Sequence, residues 1–238
     1  MASAGRGPPA AQRDALRNRL AEVQRLLEEE DGAESEDGAP GPGCPAASGP
    51  PDRVVVRFAA PRREVLVIIG TSQHAQVPGM VQQISSLVEV AYSSAGKHKH
   101  MDEHDVLHRL AMGDAGPRAN RVLHLAFLGE ELAGCASSTF SPGWTPENCG
   151  HWGLLAVHPL RQGMGVATAL VLAAERRLAM VSNMVQIEYQ YSGDELSQRL
   201  FAWYETKLGF DGGPRPRRSC FRRGFKNIPE EEQLRGQR

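Results

Sequence analysis

The sequence lacks long apolar runs, clustered cysteines and a dominant charge. No uninterrupted apolar run approaches the roughly 18 residues that a membrane-spanning helix requires, so we expect a protein without a membrane segment. The four cysteines lie far apart and form no CxxC pair, which is typical neither of a disulfide framework nor of a zinc site and fits a reducing compartment. A formal net charge of −1 argues against a protein that mainly wraps nucleic acid.

The composition is that of a folded protein. Apolar residues make up 41% of the 238 residues, which is enough for a substantial core. The N-terminal stretch MASAGRGPPAAQR has no apolar segment of the kind found in secretory signals. The acidic residues that follow, beginning with Asp14, argue against a transit peptide. We therefore expect a cytoplasmic protein, with the nucleus as the alternative location.

Two segments precede the region that carries most of the apolar patterning. Within residues 1–30, an apolar stripe at helical spacing predicts an amphipathic helix over 9–30. The stripe consists of Leu16, Leu20, Val23 and Leu27. We expect this helix to dock on its own domain, and contact with a partner chain, including a second copy in a homodimer, is the alternative. Residues 31–52 hold Gly, Pro, Ser and acidic residues with little to bury, which predicts a disordered linker.

The folded domain is expected over residues 53–238. Short β-branched or continuous apolar runs predict strands, and apolar residues at helical spacing predict helices. The predicted strands are 53–59, 64–69, two strands of a hairpin within 121–140, 150–157, 184–191 and 219–225, and the predicted helices are 78–94, 101–111, 164–179 and 197–208. Because strands and helices mix without strict alternation, the pattern favours an α+β domain with a mixed α/β sheet.

The segment VHPLRQGMGVATAL, residues 157–170, places two glycines between a strand and a helix. The first amides of a helix lack internal partners and the helix dipole adds positive potential there, so such a turn can bind a phosphate group. Gly163 and Gly165 would let a diphosphate approach the main chain, with Arg161 and Gln162 beside it. The Lys-Ser or Lys-Thr pair of a Walker A motif and the third glycine of a dinucleotide fingerprint are both missing.

The residues from Gln162 to Ala167 fit the pattern Q/R-x-x-G-x-G/A, and two further stretches, GLLAVHPLRQGMG and WYETKLGF, lie in the matching order. In these features the chain from Arg53 onward resembles the GCN5-related N-acetyltransferase (GNAT) superfamily. The resemblance implies a central, mostly antiparallel sheet whose fourth and fifth strands splay apart, flanked by helices. It also implies that acetyl-CoA, the acyl-donor substrate, binds between these two strands.

The resemblance assigns the contacts with acetyl-CoA to one strand, one loop and one residue of a later helix. The pantetheine arm would pair with the main chain of the fourth strand, and the diphosphate would lie on the amides of the loop. The residues concerned are Leu155, Ala156 and Val157 in the strand, Arg161, Gln162, Gly163, Met164, Gly165, Val166 and Ala167 in the loop, and Ser197, which stands where the family has an Asn.

Direct acetyl transfer requires a base for the amine and an acid for the departing thiolate. By resemblance, Tyr204 is the acid, on the helix after the fifth strand. Gly209 follows Tyr204 by one residue more than in the family, so an extra residue must be absorbed at the C-terminal end of that helix. His151, at the end of the fourth strand away from the loop, is the candidate base, and Glu147 in the preceding loop is the alternative.

Histidines recur between His98 and His108. His104 and His108 are four residues apart on a predicted helix, a spacing that can bind metal, but no HExxH order completes a site and we predict no metal. Because the segment between the first two helices borders the acceptor site in GNAT folds, the resemblance suggests that His98, His100 and Asp102 contact the acceptor.

These features together predict an N-acetyltransferase that moves an acetyl group from acetyl-CoA to a primary amine. We expect a small amine as the acceptor, because the sequence contains no evident long acidic groove for a basic peptide. Two alternatives stay open: acetylation of a protein lysine or N-terminus, and a GNAT module that binds acyl-CoA without catalysis and acts as a sensor or scaffold. The sequence also leaves open whether the acyl group is acetyl or longer.

Overall fold

The computed structural model describes residues 45–59, 62–214 and 220–229. The helix predicted over 9–30 and most of the predicted linker lie outside these residues. The described chain forms one eight-stranded sheet with helices on both faces, which confirms the predicted α+β domain with a mixed sheet. Within the described part, no helix combines the length and the apolar character needed to cross a bilayer.

The strands follow one another across the sheet in chain order. They are β1 (Ala46–Ser48), β2 (Arg53–Phe58), β3 (Arg63–Ile69), β4 (Arg121–Leu128), β5 (Glu131–Thr139), β6 (Cys149–Val157), β7 (Met184–Tyr191) and β8 (Cys220–Asn227). Every neighbouring pair is antiparallel except β6 and β7, which run parallel. Parallel neighbours need a long crossover connection, and a helix between them supplies it.

The four helices predicted within residues 53–238 are all present. The helical elements are α1 (Ser72–Ala75), α2 (Met80–Ser94), α3 (Glu103–Met112), α4 (Val166–Leu178) and α5 (Glu195–Phe201), which continues into a π-helical turn over Ala202–Lys207. Short 3₁₀ turns cover Gly113–Arg118 and Pro159–Arg161. The short elements, α1 and the 3₁₀ turns, bury too few residues to leave a periodic signal and were not predicted.

The two faces of the sheet carry different helices. On one face, Ile84 of α2 packs in a common cluster with Leu123 of β4, and we call this the α2/α3 face. On the opposite face, Leu170 of α4 packs with Ala126 of β4, and we call this the α4 face. Because successive residues of a strand point to opposite faces, one buried strand such as β4 serves both layers.

The N-terminal edge of the sheet differs from the prediction. β1 lies inside the segment predicted as a linker, and it pairs with β2, where Ala47 stands opposite Val56. All side chains of β1 are exposed, so the strand is held by main-chain hydrogen bonds and carries no apolar pattern. The linker prediction is therefore wrong for residues 46–48, and the domain begins before Arg53.

β6 and β7 separate soon after they begin to pair. Their register runs from Cys149 opposite Met184 to His151 opposite Gln186 and stops there. β6 continues to Val157 beside β5 alone, and β7 continues beside β8. The sheet thus opens into a V between the two parallel strands, which confirms the splay predicted for the fourth and fifth strands of the fold.

A buried polar cluster joins β4, β5 and α4 on the α4 face. The His124 imidazole shares a hydrogen bond with the Ser138 hydroxyl, with 2.8 Å between Nε2 and Oγ. The buried guanidinium of Arg177 donates to Ser138 and to the main-chain carbonyls of Pro117 and Ala119. Burial and the charge of Arg177 lower the pKa of His124 to about 3, so this imidazole is neutral in the folded protein.

The lowered pKa of His124 makes stability depend on pH. Below its ordinary value of 6.5 the unfolded chain binds a proton at His124, whereas the folded chain does so only near pH 3, so stability is lost as the pH falls from 6.5. In urea unfolding, we expect the wild type to lose about 2 kcal/mol more than His124→Gln between pH 7 and pH 5. His108→Gln, the same change at an exposed position, should keep the wild-type pH dependence. Equal pH slopes for the wild type and His124→Gln would contradict this account.

Candidate active site

The V between β6 and β7 contains an irregular backbone position. Leu154 has a positive φ of 51°. The register with β5 slips around it, since Ala156 stands opposite Cys135 whereas Gly153 stands opposite Ser137. The extra β6 residue forms a β-bulge, which bends the strand and re-aims the main chain that follows. A left-handed leucine costs on the order of 1 kcal/mol, and such strain is concentrated at functional sites.

The loop after β6 presents main-chain amides at the start of α4. Gly163 and Gly165 have positive φ angles of 72° and 79°. Gly165 is the N-cap of α4, and no side chain caps this helix. A left-handed residue followed directly by an uncapped helix start forms a concavity of the kind that binds anions.

The other predicted loop residues lie in different environments. Gln162 is exposed, Met164 and Ala167 are half-buried, and Val166 is buried in the cluster beneath α4. None of these four side chains carries a charge that could attract a phosphate group. A diphosphate at this loop would therefore be bound mainly by main-chain groups.

Arg161 is engaged in an ion pair. Its guanidinium binds Glu131 in the β4–β5 hairpin through two hydrogen bonds, Nε to Oε1 at 3.1 Å and Nη2 to Oε2 at 2.5 Å. These bonds lower the pKa of the Glu131 carboxyl and raise that of Arg161. Exposed pairs of this type contribute little to stability, so a phosphate group can compete with Glu131 for Arg161. Its contact with the diphosphate stays a prediction.

His151 is the last residue of β6 that pairs with β7, so it stands at the apex of the V. Its side chain is half-buried, and its ring meets the exposed ring of Trp144 edge-on, with 5.9 Å between the centroids. Burial lowers the pKa of His151 below 6.5, with the Glu188 carboxylate opposing and Arg121 reinforcing the shift. A neutral imidazole at this position is able to accept a proton.

Tyr204 is buried in an aromatic cluster. Its ring centroid lies 4.8 Å from that of Tyr189, 5.0 Å from Trp203 and 6.0 Å from Trp152. Burial, and secondarily the phenol of Tyr92, raise the pKa of Tyr204 above 10.0. Tyr92 belongs to α2, and its phenol lies close enough to act on the pKa of Tyr204.

Tyr92 was not among the predicted site residues. It is half-buried near the end of α2, and burial, with a smaller effect of Cys135, raises its pKa to about 12. Burial also raises the pKa of Cys135 to about 12, so this thiol stays protonated and unreactive. The signal in the sequence was an aromatic residue next to Ala91, which lies on the apolar face of the helix.

The extra residue after Tyr204 is absorbed by the π-helical turn Ala202–Lys207. The N–H of Leu208 donates to the carbonyl of Trp203 at 3.0 Å, five residues back, and the N–H of Phe210 donates to the carbonyl of Tyr204 at 3.1 Å. A π-helical turn accommodates one inserted residue without ending the helix. The turn lies at the C-terminal end of the helix and includes Tyr204, so the orientation required of Tyr204 stays a prediction.

Glu205 connects the π-helical turn to the sheet through hydrogen bonds and an ion pair. Its carboxylate accepts a hydrogen bond of 2.6 Å from the Tyr189 hydroxyl and forms an ion pair with Arg222 of β8, with 2.6 Å between Nη2 and Oε2. Arg222 also donates to the main-chain carbonyls of Gly213 at 2.6 Å and Pro214 at 3.0 Å. Because every nitrogen of the buried guanidinium donates a hydrogen bond, the network holds the turn next to Tyr204 in one position.

Ser197 is buried, and its hydroxyl serves the first turn of α5. It accepts a hydrogen bond from the N–H of Gly193 at 2.9 Å and donates to the carbonyl of Asp194 at 3.0 Å. The side chain that was expected to contact acetyl-CoA is therefore used by the neighbouring main chain. A contact of Ser197 with the cofactor stays a prediction.

The predicted acceptor-side residues lie on loops. Glu147 is exposed in the β5–β6 loop, and His98 and His100 are exposed before α3. Asp102 is the N-cap of α3, because its carboxylate accepts the N–H of Asp105 at 2.7 Å. Among the residues that the structure describes, no cluster of three or more His, Cys, Asp or Glu side chains is arranged to hold a metal ion.

The two loop glycines differ in their surroundings, which leads to a stability prediction. A Cβ at Gly165 would lie 2.5 Å from Cζ of Phe58 in β2, whereas a Cβ at Gly163 would meet no heavy atom within 4 Å. Both positions have positive φ, so alanine costs on the order of 1 kcal/mol at either. We expect Gly163→Ala to lose about 1 kcal/mol of unfolding free energy and Gly165→Ala about 3 kcal/mol, as measured by urea unfolding.

A double-mutant cycle identifies the cause of the larger loss. Phe58→Ala removes the ring that a side chain at Gly165 would strike. The Phe58→Ala/Gly165→Ala variant should therefore be about 1 kcal/mol more stable than the sum of the single effects predicts. Strictly additive effects would show that the Phe58 ring is not what excludes a side chain at Gly165.

Comparison with curated protein sequences gives no match. Solved structures share the fold at low sequence identity. The GNAT domain of S. lividans PAT has a TM-score of 0.54 and 17% identity over 77% of this chain and 97% of its own. The PaiA N-acetyltransferase of Thermoplasma acidophilum, solved in complex with coenzyme A, has a TM-score of 0.52 and 11% identity over 69% of this chain and 99% of its own. A GNAT-family acetyltransferase of Streptococcus pneumoniae has a TM-score of 0.51 and 16% identity over 69% and 99% of the two chains.

A model of the acetyltransferase (GNAT) family matches residues 81–210. This span is more than half of the 238 residues and includes the V, the glycine loop, His151 and Tyr204. The sheet order and the splay of β6 from β7 agree with the resemblance seen in the loop sequence. The chain belongs to the GNAT acetyltransferase family.

Proposed function

We propose that this protein is an acetyl-CoA-dependent N-acetyltransferase that transfers the acetyl group directly to a primary amine, with a small molecule as the acceptor. The observation that carries the proposal is the V between β6 and β7, which leads from His151 at its apex to the glycine loop that follows Val157. Membership of the GNAT family supports the acyl donor. The acceptor is argued from the side chains around His151.

Acetyl-CoA is proposed to lie along the free edge of β6. Beyond His151 this edge has no strand partner among the described residues, so the main chain of Leu155–Val157 can pair with the amides of the pantetheine arm. The diphosphate would occupy the concavity at Gly163–Ala167, where free amides and the dipole of α4 favour negative charge. The coenzyme A bound to the T. acidophilum enzyme supports the same ligand here.

His151 is proposed as the general base. The amine has to lose a proton before it attacks, and the neutral imidazole accepts that proton directly or through a water molecule. Gly153 leaves room for this ring, because a Cβ there would lie 3.0 Å from its Cε1 atom. The nitrogen lone pair then attacks the thioester carbonyl carbon, the C–S bond breaks, and CoA leaves as a thiolate.

Tyr204 is proposed to stabilise the departing thiolate. Its raised pKa keeps the phenol protonated at neutral pH, so the hydroxyl can donate a hydrogen bond to the sulfur. Complete proton transfer would leave a buried phenolate, which the same burial disfavours. The rings of Tyr189, Trp203 and Trp152 restrict the Tyr204 ring to one position.

The side chains near His151 suit an ammonium group. The exposed ring of Trp144 offers a cation–π surface, and the Glu188 carboxylate lies close enough to act on the His151 pKa. Glu188 already binds Arg223, with 2.7 Å from Nε to Oε1, so the aromatic face provides the principal attraction. One ring and one paired carboxylate offer few contacts to a basic peptide, which favours a small amine over a protein lysine or N-terminus.

Calorimetric titration with CoA tests the cofactor site. Gly163→Glu places a carboxylate where the diphosphate is expected, and the open space around Gly163 accepts the side chain. We expect micromolar binding by the wild type and binding weaker by at least about 100-fold in Gly163→Glu, because the carboxylate repels the diphosphate. Gly163→Gln has the same size and backbone strain without the charge, and it should weaken binding by about tenfold or less.

The comparison of these two variants separates charge from strain. An equal loss of CoA affinity in Gly163→Glu and Gly163→Gln would mean that backbone strain or side-chain size, and not charge, weakens binding. A folded wild type that binds neither CoA nor acetyl-CoA would overturn the proposed function.

The proton steps are tested with His151→Gln and Tyr204→Phe. Both variants should keep the affinity for CoA within about threefold, while kcat falls by roughly 100-fold for His151→Gln and by about tenfold or more for Tyr204→Phe. In the wild type, kcat/KM should fall on the acid side with an apparent pKa below 6.5, because burial lowers the pKa of His151. This acid limb should be absent in His151→Gln, as measured by steady-state rates with a panel of small amines.

The alternatives give different outcomes in the same assay. Glu147→Gln is the control, and loss of activity there with an active His151→Gln would move the base to Glu147. Faster transfer to lysine or N-terminal peptides than to small amines would identify a protein acetyltransferase. CoA binding without transfer to any amine would leave the sensor or scaffold role.

A further inference from the structure

The β2–β3 hairpin reaches the glycine loop from outside the span that the family model matches. Both strands precede residue 81, where that match begins. Nevertheless, Nη1 of Arg63 donates a hydrogen bond of 3.1 Å to the carbonyl oxygen of Gly163, 100 residues further along the chain. The Phe58 ring of the same hairpin packs on Gly165. One hairpin therefore contacts both glycines of the loop.

We propose that Arg63 is a positioning residue for the diphosphate of acetyl-CoA and acts through the Gly163 peptide group. This inference rests on the proposed function. The peptide between Gly163 and Met164 is planar, so its C=O and N–H point in opposite directions. By holding the Gly163 carbonyl, Arg63 also fixes the direction of the Met164 N–H, one of the amides expected to bind the diphosphate.

Gly163 needs such a restraint because the space on the side where a Cβ would project is open. No heavy atom lies within 4 Å of the position that a Cβ would take there, and glycine has the widest range of backbone conformations. Gly165, in contrast, is confined beneath the Phe58 ring. With one glycine held by a ring and the other by a guanidinium, the loop is ordered before the ligand arrives. That order reduces the entropy lost on binding.

The charge of Arg63 is left available to the loop. Two acidic residues of this hairpin and of the β4–β5 hairpin already have partners, since Glu64 binds Arg57 at 3.0 Å and Glu131 binds Arg161. In the described ranges, Arg63 has no ion pair with a carboxylate, and its hydrogen bond goes to a neutral carbonyl. Arg63 therefore also adds positive potential beside the expected diphosphate.

Arg63→Met and Arg62→Met form a matched pair of variants. Each removes one positive charge from the same hairpin, but Arg62 is exposed and only Arg63 donates to the loop. We expect Arg63→Met to raise the Kd of CoA about tenfold and Arg62→Met to raise it about twofold or less, as measured by calorimetry. Arg63→Lys keeps the charge and one donor group, so it should lose only about threefold.

An acetyl donor without the diphosphate distinguishes positioning of the diphosphate from a general effect of the substitution on the fold. S-acetylpantetheine lacks the diphosphate, so Arg63→Met and Arg63→Lys should leave its KM unchanged while raising the KM of acetyl-CoA. Equal effects on both donors, or equal effects of Arg62→Met and Arg63→Met on CoA affinity, would overturn the role of Arg63. A wild type without CoA affinity would overturn the proposed function instead, so the two failures are distinguishable.

Discussion

The pairing of β6 with β7 ends at His151, and the geometry of the candidate site depends on this interruption. Had the two strands stayed paired, their hydrogen bonds would occupy the β6 edge and leave no opening for a ligand. On the α4 face, the ring of Tyr204 packs against Trp152 of β6 and Tyr189 of β7, beyond the last residues at which the two strands pair. Burial of these rings offsets the lost strand hydrogen bonds, and the bulge at Leu154 turns the free edge further from regular pairing.

A loop that keeps its amides free for a ligand cannot use them to stabilise itself. This loop is instead held at the Gly163 carbonyl and at Gly165, so its amides are not used for the purpose. Phe58 restricts Gly165 by contact, and Arg63 restricts Gly163 through its carbonyl. The hairpin that supplies both groups pairs through β3 with β4, so the loop is fixed to the centre of the sheet. The N-terminal strands thus belong to the proposed cofactor site.

Apolar periodicity was sufficient to predict the strands from β2 to β8 and the longer helices, because each buries a stripe or a whole strand. It could not reveal β1, whose side chains are exposed and whose contacts are main-chain bonds. The bulge at Leu154 had a weak signal, since an isolated Gly153 inside a strand often marks such an irregularity. The Arg63–Gly163 bond joins residues 100 apart, and no local pattern encodes a contact at that distance. The sequence placed the glycine loop correctly but not the groups that hold it.

Burial acts on both candidate catalytic groups, His151 and Tyr204. Burial disfavours the charged form of each group. The charged form of an imidazole is the protonated one, whereas the charged form of a phenol is the deprotonated one. The imidazole of His151 is cationic when protonated, so burial lowers its pKa and leaves it a free base at neutral pH. The phenol of Tyr204 is anionic when deprotonated, so burial raises its pKa and keeps its proton in place. Pairs of groups whose environments push their pKa values apart are typical of acid–base catalysis. One physical cause therefore gives both groups the protonation states that the proposed transfer requires.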